Sequence, residues 1–121
     1  MLYSDQMQFR TLGKTGLNVS LLSLGTGGAR QLGQSQGMSQ PKQTTLVRSA
    51  LDLGVNLIDT SAEYGESETI LGHALKEVPR GDYNICTKWP PRVGGELAED
   101  PALLVNSLER SLKRLQADHV E

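Results

Sequence analysis

Three side chains in this sequence have the types and spacing to exchange a proton: Asp59, Tyr64 and Lys88. Asp59 stands near the end of the short apolar run Asn56–Thr60, and Tyr64 follows in the stretch after it. Lys88 closes a second run, Tyr83–Lys88. In parallel α/β folds the C-terminal strand ends and the loops after them share one rim, and that rim holds the chemistry. Alternation along a strand puts Leu57 and Asp59 on one face, and Cys86 and Lys88 on one face of the next strand. An ammonium near a phenol favours its ionised form, and a carboxylate beside the ammonium keeps both charged. A phenol so placed is a better general acid. It suits protonation of a carbonyl oxygen as a hydride arrives at the carbon. Each residue also has a plainer role: Asp59 as a turn cap, Tyr64 as a loop aromatic, Lys88 as a solvated strand end.

Those runs must be held by a framework, and the composition permits one. The 121 residues suit a single globular domain with no long disordered tract. A net charge of −2 with no basic stripe argues against nucleic acid or an anionic membrane as partner. One cysteine, Cys86, excludes an internal disulfide and agrees with a reducing compartment. Met1–Asp5 lack the apolar core of a signal peptide, and no apolar run reaches the ~18 residues needed to span a bilayer. The expected location is cytoplasmic.

In chain order, residues 1–7 read as a tail. Gln8–Leu12 and Leu17–Ser20 read as a hairpin around Gly13-Lys14-Thr15-Gly16. Leu21–Thr26 reads as a buried strand, and Gly27–Ser39 as a loop without apolar period. A helix over Pro41–Leu53 is expected to be capped by Ser39, to bury Leu46, Val47, Ala50 and Leu51, and to end at Gly54. A second helix, Glu66–Glu77, buries Ile70, Leu71, Ala74 and Leu75. Trp89–Glu99 reads as a loop. Asp100-Pro101 opens a third helix, to Gln116, whose apolar side is Val105, Leu108, Leu112 and Leu115. Strands alternating with helices imply a parallel sheet.

These blocks resemble the aldo-keto reductase family. Leu12–Ser20 followed by Leu24-Gly25-Thr26-Gly27 is similar to its opening hairpin and first barrel strand. Ile58-Asp59-Thr60-Ser61-Ala62-Glu63-Tyr64-Gly65, with Glu68 and Leu71-Gly72, resembles its second-strand signature. Thr87-Lys88 matches the lysine ending its third strand, and Ser107–Leu115 the helix before its fourth. The resemblance runs from Phe9 to the end, with residues 8–121 forming the barrel portion. It implies an α/β fold, the N-terminal part of a (β/α)8 TIM barrel: a hairpin plus about three βα units, stopping before the fourth strand. It implies NADP(H)-dependent reduction of small carbonyl or sugar-like substrates, or the reverse oxidation. Tyr64 would be the proton donor, tuned by Lys88 and Asp59. Thr26, Gly27 and Asp59 would lie at the nicotinamide end of the cofactor. The expected oligomeric state is left open.

The family's catalytic histidine, at the end of the fourth strand, has no counterpart here: His119 falls several residues early, and His73 reads as a surface residue. The loops that hold the adenosine phosphate would also lie beyond Glu121. A chain of this extent, with both sheet edges unpaired, is expected to be marginal, to aggregate or to self-associate, and to bind cofactor weakly and be inactive by itself. An alternative within the same fold is a non-catalytic, cofactor-sensing or interaction module. A Rossmann loop at Gly25-x-Gly27-x-x-Arg30 fails because Arg30 replaces the third glycine and no helix begins there. A metal site is not expected, since His73, Cys86 and His119 lack close spacing. Cys86 reads as a small buried strand residue.

Overall fold

The computed structural model describes residues 6–121; the rest of the expected tail, Met1–Asp5, lies outside the described residues. Strands β1 (Phe9–Thr11) and β2 (Asn18–Ser20) form the expected antiparallel hairpin, with Phe9 opposite Ser20. Three parallel strands follow in the order β3 (Leu24–Gly25), β4 (Leu57–Asp59) and β5 (Asn84–Cys86). Helix α1 (Gln40–Asp52) connects the first two, and α2 (Ser67–Ala74) the second two. After β5 come a small hairpin, β6 (Arg92–Val93) and β7 (Glu96–Leu97), and helix α3 (Pro101–Leu115).

The register sets Leu24 beside Ile58 and Ile58 beside Ile85 on one sheet face. That face packs on the helices, with Val47, Leu71, Leu75 and Leu115 in the same cluster. One residue further along, Gly25, Asp59 and Cys86 lie side by side on the opposite face, and that face is open. Cys86 is therefore exposed and not buried as expected: strand alternation assigns it to the uncovered side.

The hairpin attaches at the N-terminal strand ends. Asn56 accepts from the Ser20 amide at 2.7 Å, and its own amide donates to Ser20 Oγ at 3.0 Å. Its side chain also donates to the Asn18 carbonyl at 2.9 Å. Just after the hairpin, Leu21 and Leu22 are exposed, so the expected strand Leu21–Thr26 shortens to two residues. The chain turns there, with Ser20 Oγ donating to the Leu22 carbonyl at 2.6 Å.

Helix α2 buries Ile70, Leu71 and Ala74, and Leu75 just past its end completes the expected stripe, although the helix stops at Ala74 and not at Glu77. In α1 the buried positions are Gln43 and Val47, whereas Leu46 is exposed and Ser39 makes no side-chain cap. Asp100 does cap α3, accepting from the Ala102 amide at 2.9 Å, with Pro101 at the first helical position. The buried side of α3 is Ser107, Ser111 and Leu115, while Val105 and Leu108 face solvent. The helices approach closely at Gly72, where an added Cβ would collide with the Arg114 carbonyl. Residues 89–99 are not a plain loop: Gly94 and Gly95, both with positive φ, form the two-residue turn that a tight hairpin favours.

No helix among the described residues is long and apolar enough to cross a membrane.

Candidate active site

The C-terminal ends of β3, β4 and β5 bring Gly27, Asp59, Tyr64 and Lys88 to one rim. Lys88 Nζ donates to Asp59 Oδ1 and to the Thr60 carbonyl, both at 2.8 Å. The same ammonium lies over the Tyr64 ring, 5.1 Å from its centroid. Burial pulls the Lys88 pKa down, but hydrogen bonding and charge from Asp59, and then from Tyr64, outweigh that, and it stands above the usual lysine value. The cation is thus fixed between a carboxylate and an aromatic face. The two charged side chains are 45% and 41% exposed, so water and small molecules reach them.

Tyr64 sits in the turn between β4 and α2, with its ring against Gly27. Thr26 is fully buried: its amide and its hydroxyl both donate to the Asp59 carbonyl at 3.0 Å. Its side chain follows the helix-facing side of β3, so it supports Asp59 from behind. His73 is exposed on α2. His119 pairs with Asp118 at 2.6 Å and its carbonyl accepts from Arg80, which precedes β5; it belongs to the opposite strand ends. Among the described residues no group of three or more His, Cys, Asp or Glu could hold a metal ion.

Two supports escape sequence reasoning. Glu68 is buried, accepts from Arg114 Nε at 2.9 Å and Nη2 at 2.7 Å, and takes the Thr87 hydroxyl at 2.8 Å. It thereby ties α2 and α3 to the residue before Lys88. Gln34, in the loop after β3, bonds to the Tyr64 turn. Glu68 stands in the quoted signature, but its partner is 46 residues away, and no local pattern marks Gln34.

Residues 23–121 match the aldo/keto reductase family. The chain belongs to that family. L-galactose dehydrogenase of Arabidopsis thaliana is 38% identical over 122 residues, covering 96% of this chain and 37% of that protein. A Schizosaccharomyces pombe protein named for a voltage-gated potassium channel subunit beta is 37% identical, over 93% of this chain and 34% of that protein. The crystal structure of a silkworm aldo-keto reductase complexed with NADPH superposes with a TM-score of 0.72 at 30% identity, covering 96% of this chain and 35% of its own. The fold is accordingly that of part of the aldo-keto reductase barrel, and the chain spans little more than a third of each of these relatives.

Proposed function

We propose that this chain carries the acid-base end of an NADP(H)-dependent aldo-keto reductase site, acting on small carbonyl or sugar-like substrates. The observation that carries it is the Lys88 ammonium held 2.8 Å from Asp59 and facing the Tyr64 ring at the strand ends.

The rim has room for a flat ring beside Asp59. Gly25 neighbours Asp59 on the open face, and a Cβ added there would meet nothing within 4 Å. NADPH, when bound, supplies the hydride. Gly25, Gly27 and Asp59 form the surface for its nicotinamide end, with Thr26 holding Asp59 in place. Tyr64 gives its phenolic proton to the carbonyl oxygen as charge develops on that oxygen. Negative charge left on the phenol is stabilised by the ammonium of Lys88. Asp59 keeps that ammonium charged and aimed. Run backwards, the same groups accept a proton from an alcohol.

The test is Tyr64→Phe in the protein bearing this sequence, followed by NADPH consumption with a panel of small aldehydes. Loss of the general acid should lower kcat by about 10²–10⁴-fold. NADPH affinity should change less than about twofold, since the cofactor surface is untouched. Turnover at the parent rate in Tyr64→Phe would end this reading. A second reading, a cofactor-sensing subunit without catalysis, draws on the 37% identity to the S. pombe protein. It is supported instead if NADPH binds and no substrate is turned over by the parent.

A further inference from the structure

Gln34 stands in a single turn of 3-10 helix, Gln34–Gln36, within the loop between β3 and α1. Its Nε2 donates to the Gln31 carbonyl at 2.7 Å, to Ser67 Oγ at 3.0 Å and to the Tyr64 carbonyl at 3.2 Å. Its Oε1 accepts from the Glu66 amide at 2.8 Å. An amide nitrogen has two protons, so the longest of its three contacts is shared. One side chain thus engages the main chain on both sides of Gly65. Gly65 has φ +56, and a Cβ there would collide with Gln34 Oε1. The clip leaves space for no side chain at that position.

The loop is itself held in an uncommon shape. Gln31 and Leu32 have φ of 46 and 60, the left-handed region that residues with side chains seldom occupy. Leu32 is buried in the core, which anchors the loop beneath Gln34. From Gln34 the hydrogen bonds continue. Ser67 Oγ donates to the Thr26 carbonyl at 2.7 Å, and Thr26 donates to the Asp59 carbonyl. The loop, the Tyr64 turn and the Asp59 strand end are therefore one connected unit.

We infer that Gln34 is a positioning residue for Tyr64. It fixes the main chain at Tyr64 so that the ring stays against Gly27 and under the Lys88 ammonium. This rests on Tyr64 being the proton donor, but its test needs no turnover. In the full chain, the Tyr64 ring current should displace the NMR signals of the Gly27 α-protons and the Lys88 ε-protons, and Tyr64→Leu defines the whole displacement. In Gln34→Ala, more than half of that displacement should vanish, while the methyl signals of Ile58 and Ile85 stay where they are. Gln34→Glu has the same shape but lacks the donors, and it should release the ring too; it carries the test if Gln34→Ala loses its core signals. Unchanged Gly27 and Lys88 signals in a folded Gln34 variant would overturn the inference, as would a parent chain showing no ring-current displacement. Failure of the proton-donor reading shows separately, as persistent turnover in Tyr64→Phe.

Discussion

Gly27 lies flat against the Tyr64 ring: a Cβ built on it would stand 2.8 Å from both Cε2 and Cζ, and 3.0 Å from Cε1. No side chain fits between them with the ring in place. Gly27 is not among the glycines with positive φ, so its backbone tolerates alanine and only the ring must move. Tyr64 is a partly buried loop residue, and what Gly27 meets is its side chain and not main chain. Gly27→Ala should therefore cost only about 1 kcal/mol of stability, the low end of overpacking. On the proposed reading of Tyr64 as the general acid, a displacement near 1 Å there is enough to lower turnover by about 10²-fold. Urea unfolding and steady-state kinetics on one preparation separate the two effects.

The Asp59–Lys88 pair should matter to charge placement more than to stability. Both side chains are over two-fifths exposed, and exposed pairs contribute about 0–1 kcal/mol. Asp59→Asn should leave the unfolding midpoint nearly unchanged at neutral pH. It should also bring the Lys88 pKa down, since Asp59 is the largest of the influences that raise it. The folded-state value is raised, so the pair's contribution is complete below the ordinary lysine value of 10.5 and is lost as pH climbs through the folded value. Titration of the Lys88 ε-signals in the two proteins checks the direction.

The Glu68–Arg114 pair behaves oppositely, because Glu68 Oε1 and Oε2 are enclosed: its side chain is 2% exposed. Arg114→Met strands a buried carboxylate and should cost about 3–5 kcal/mol. That approaches the whole stability of a small domain, about 5–15 kcal/mol. Combining it with Glu68→Gln removes the stranded charge and keeps an acceptor for Thr87. The double variant should recover most of the loss. Chemical denaturation of the two single variants and the double variant measures this. A double variant as weak as Arg114→Met alone would contradict it.

Glu121 should contribute to the loss of stability in acid. Its amide donates to the Ile85 carbonyl at 3.0 Å, and its carboxylate accepts from the Ile85 amide at 2.8 Å and from Arg80 at 2.9 Å. Both polar groups of Ile85 on the free side of β5 are thereby matched. Burial raises the Glu121 pKa, but hydrogen bonds from Arg80 and the Ile85 amide, with the Arg80 charge, lower it further and leave it below the usual value of 4.5. A depressed carboxylate contributes above its unfolded value and stops contributing as pH falls through its folded value. Glu121→Gln should flatten the loss of stability below 4.5, measurable by acid unfolding.

The parallel core was legible because short apolar runs and helical stripes are local patterns. Ile58 and Ile85 in strands, and Ile70, Leu71, Ala74 and Leu75 in and just after α2, could be read in place. The buried side of α3 could be read only in part, at Leu115. Val105 and Leu108 of the expected apolar face turn to solvent, and Ser107 and Ser111 are buried in their place. Amphipathic period shows that a helix has two faces and not which one a neighbour will accept.

For the candidate site, the convergence of Asp59, Tyr64 and Lys88 was legible because strand ends in a parallel sheet share a rim. The sequence by itself determined those three residue types, their order and the strands that deliver them. Tertiary structure alone decided the rest: Thr26 turned inward, the ammonium over a ring face, Glu68 joined to Arg114, and Gln34 gripping the turn at Tyr64. These are contacts between residues distant in the chain. Their geometry is set by how closely helices and loops pack against the sheet, which no local spacing encodes.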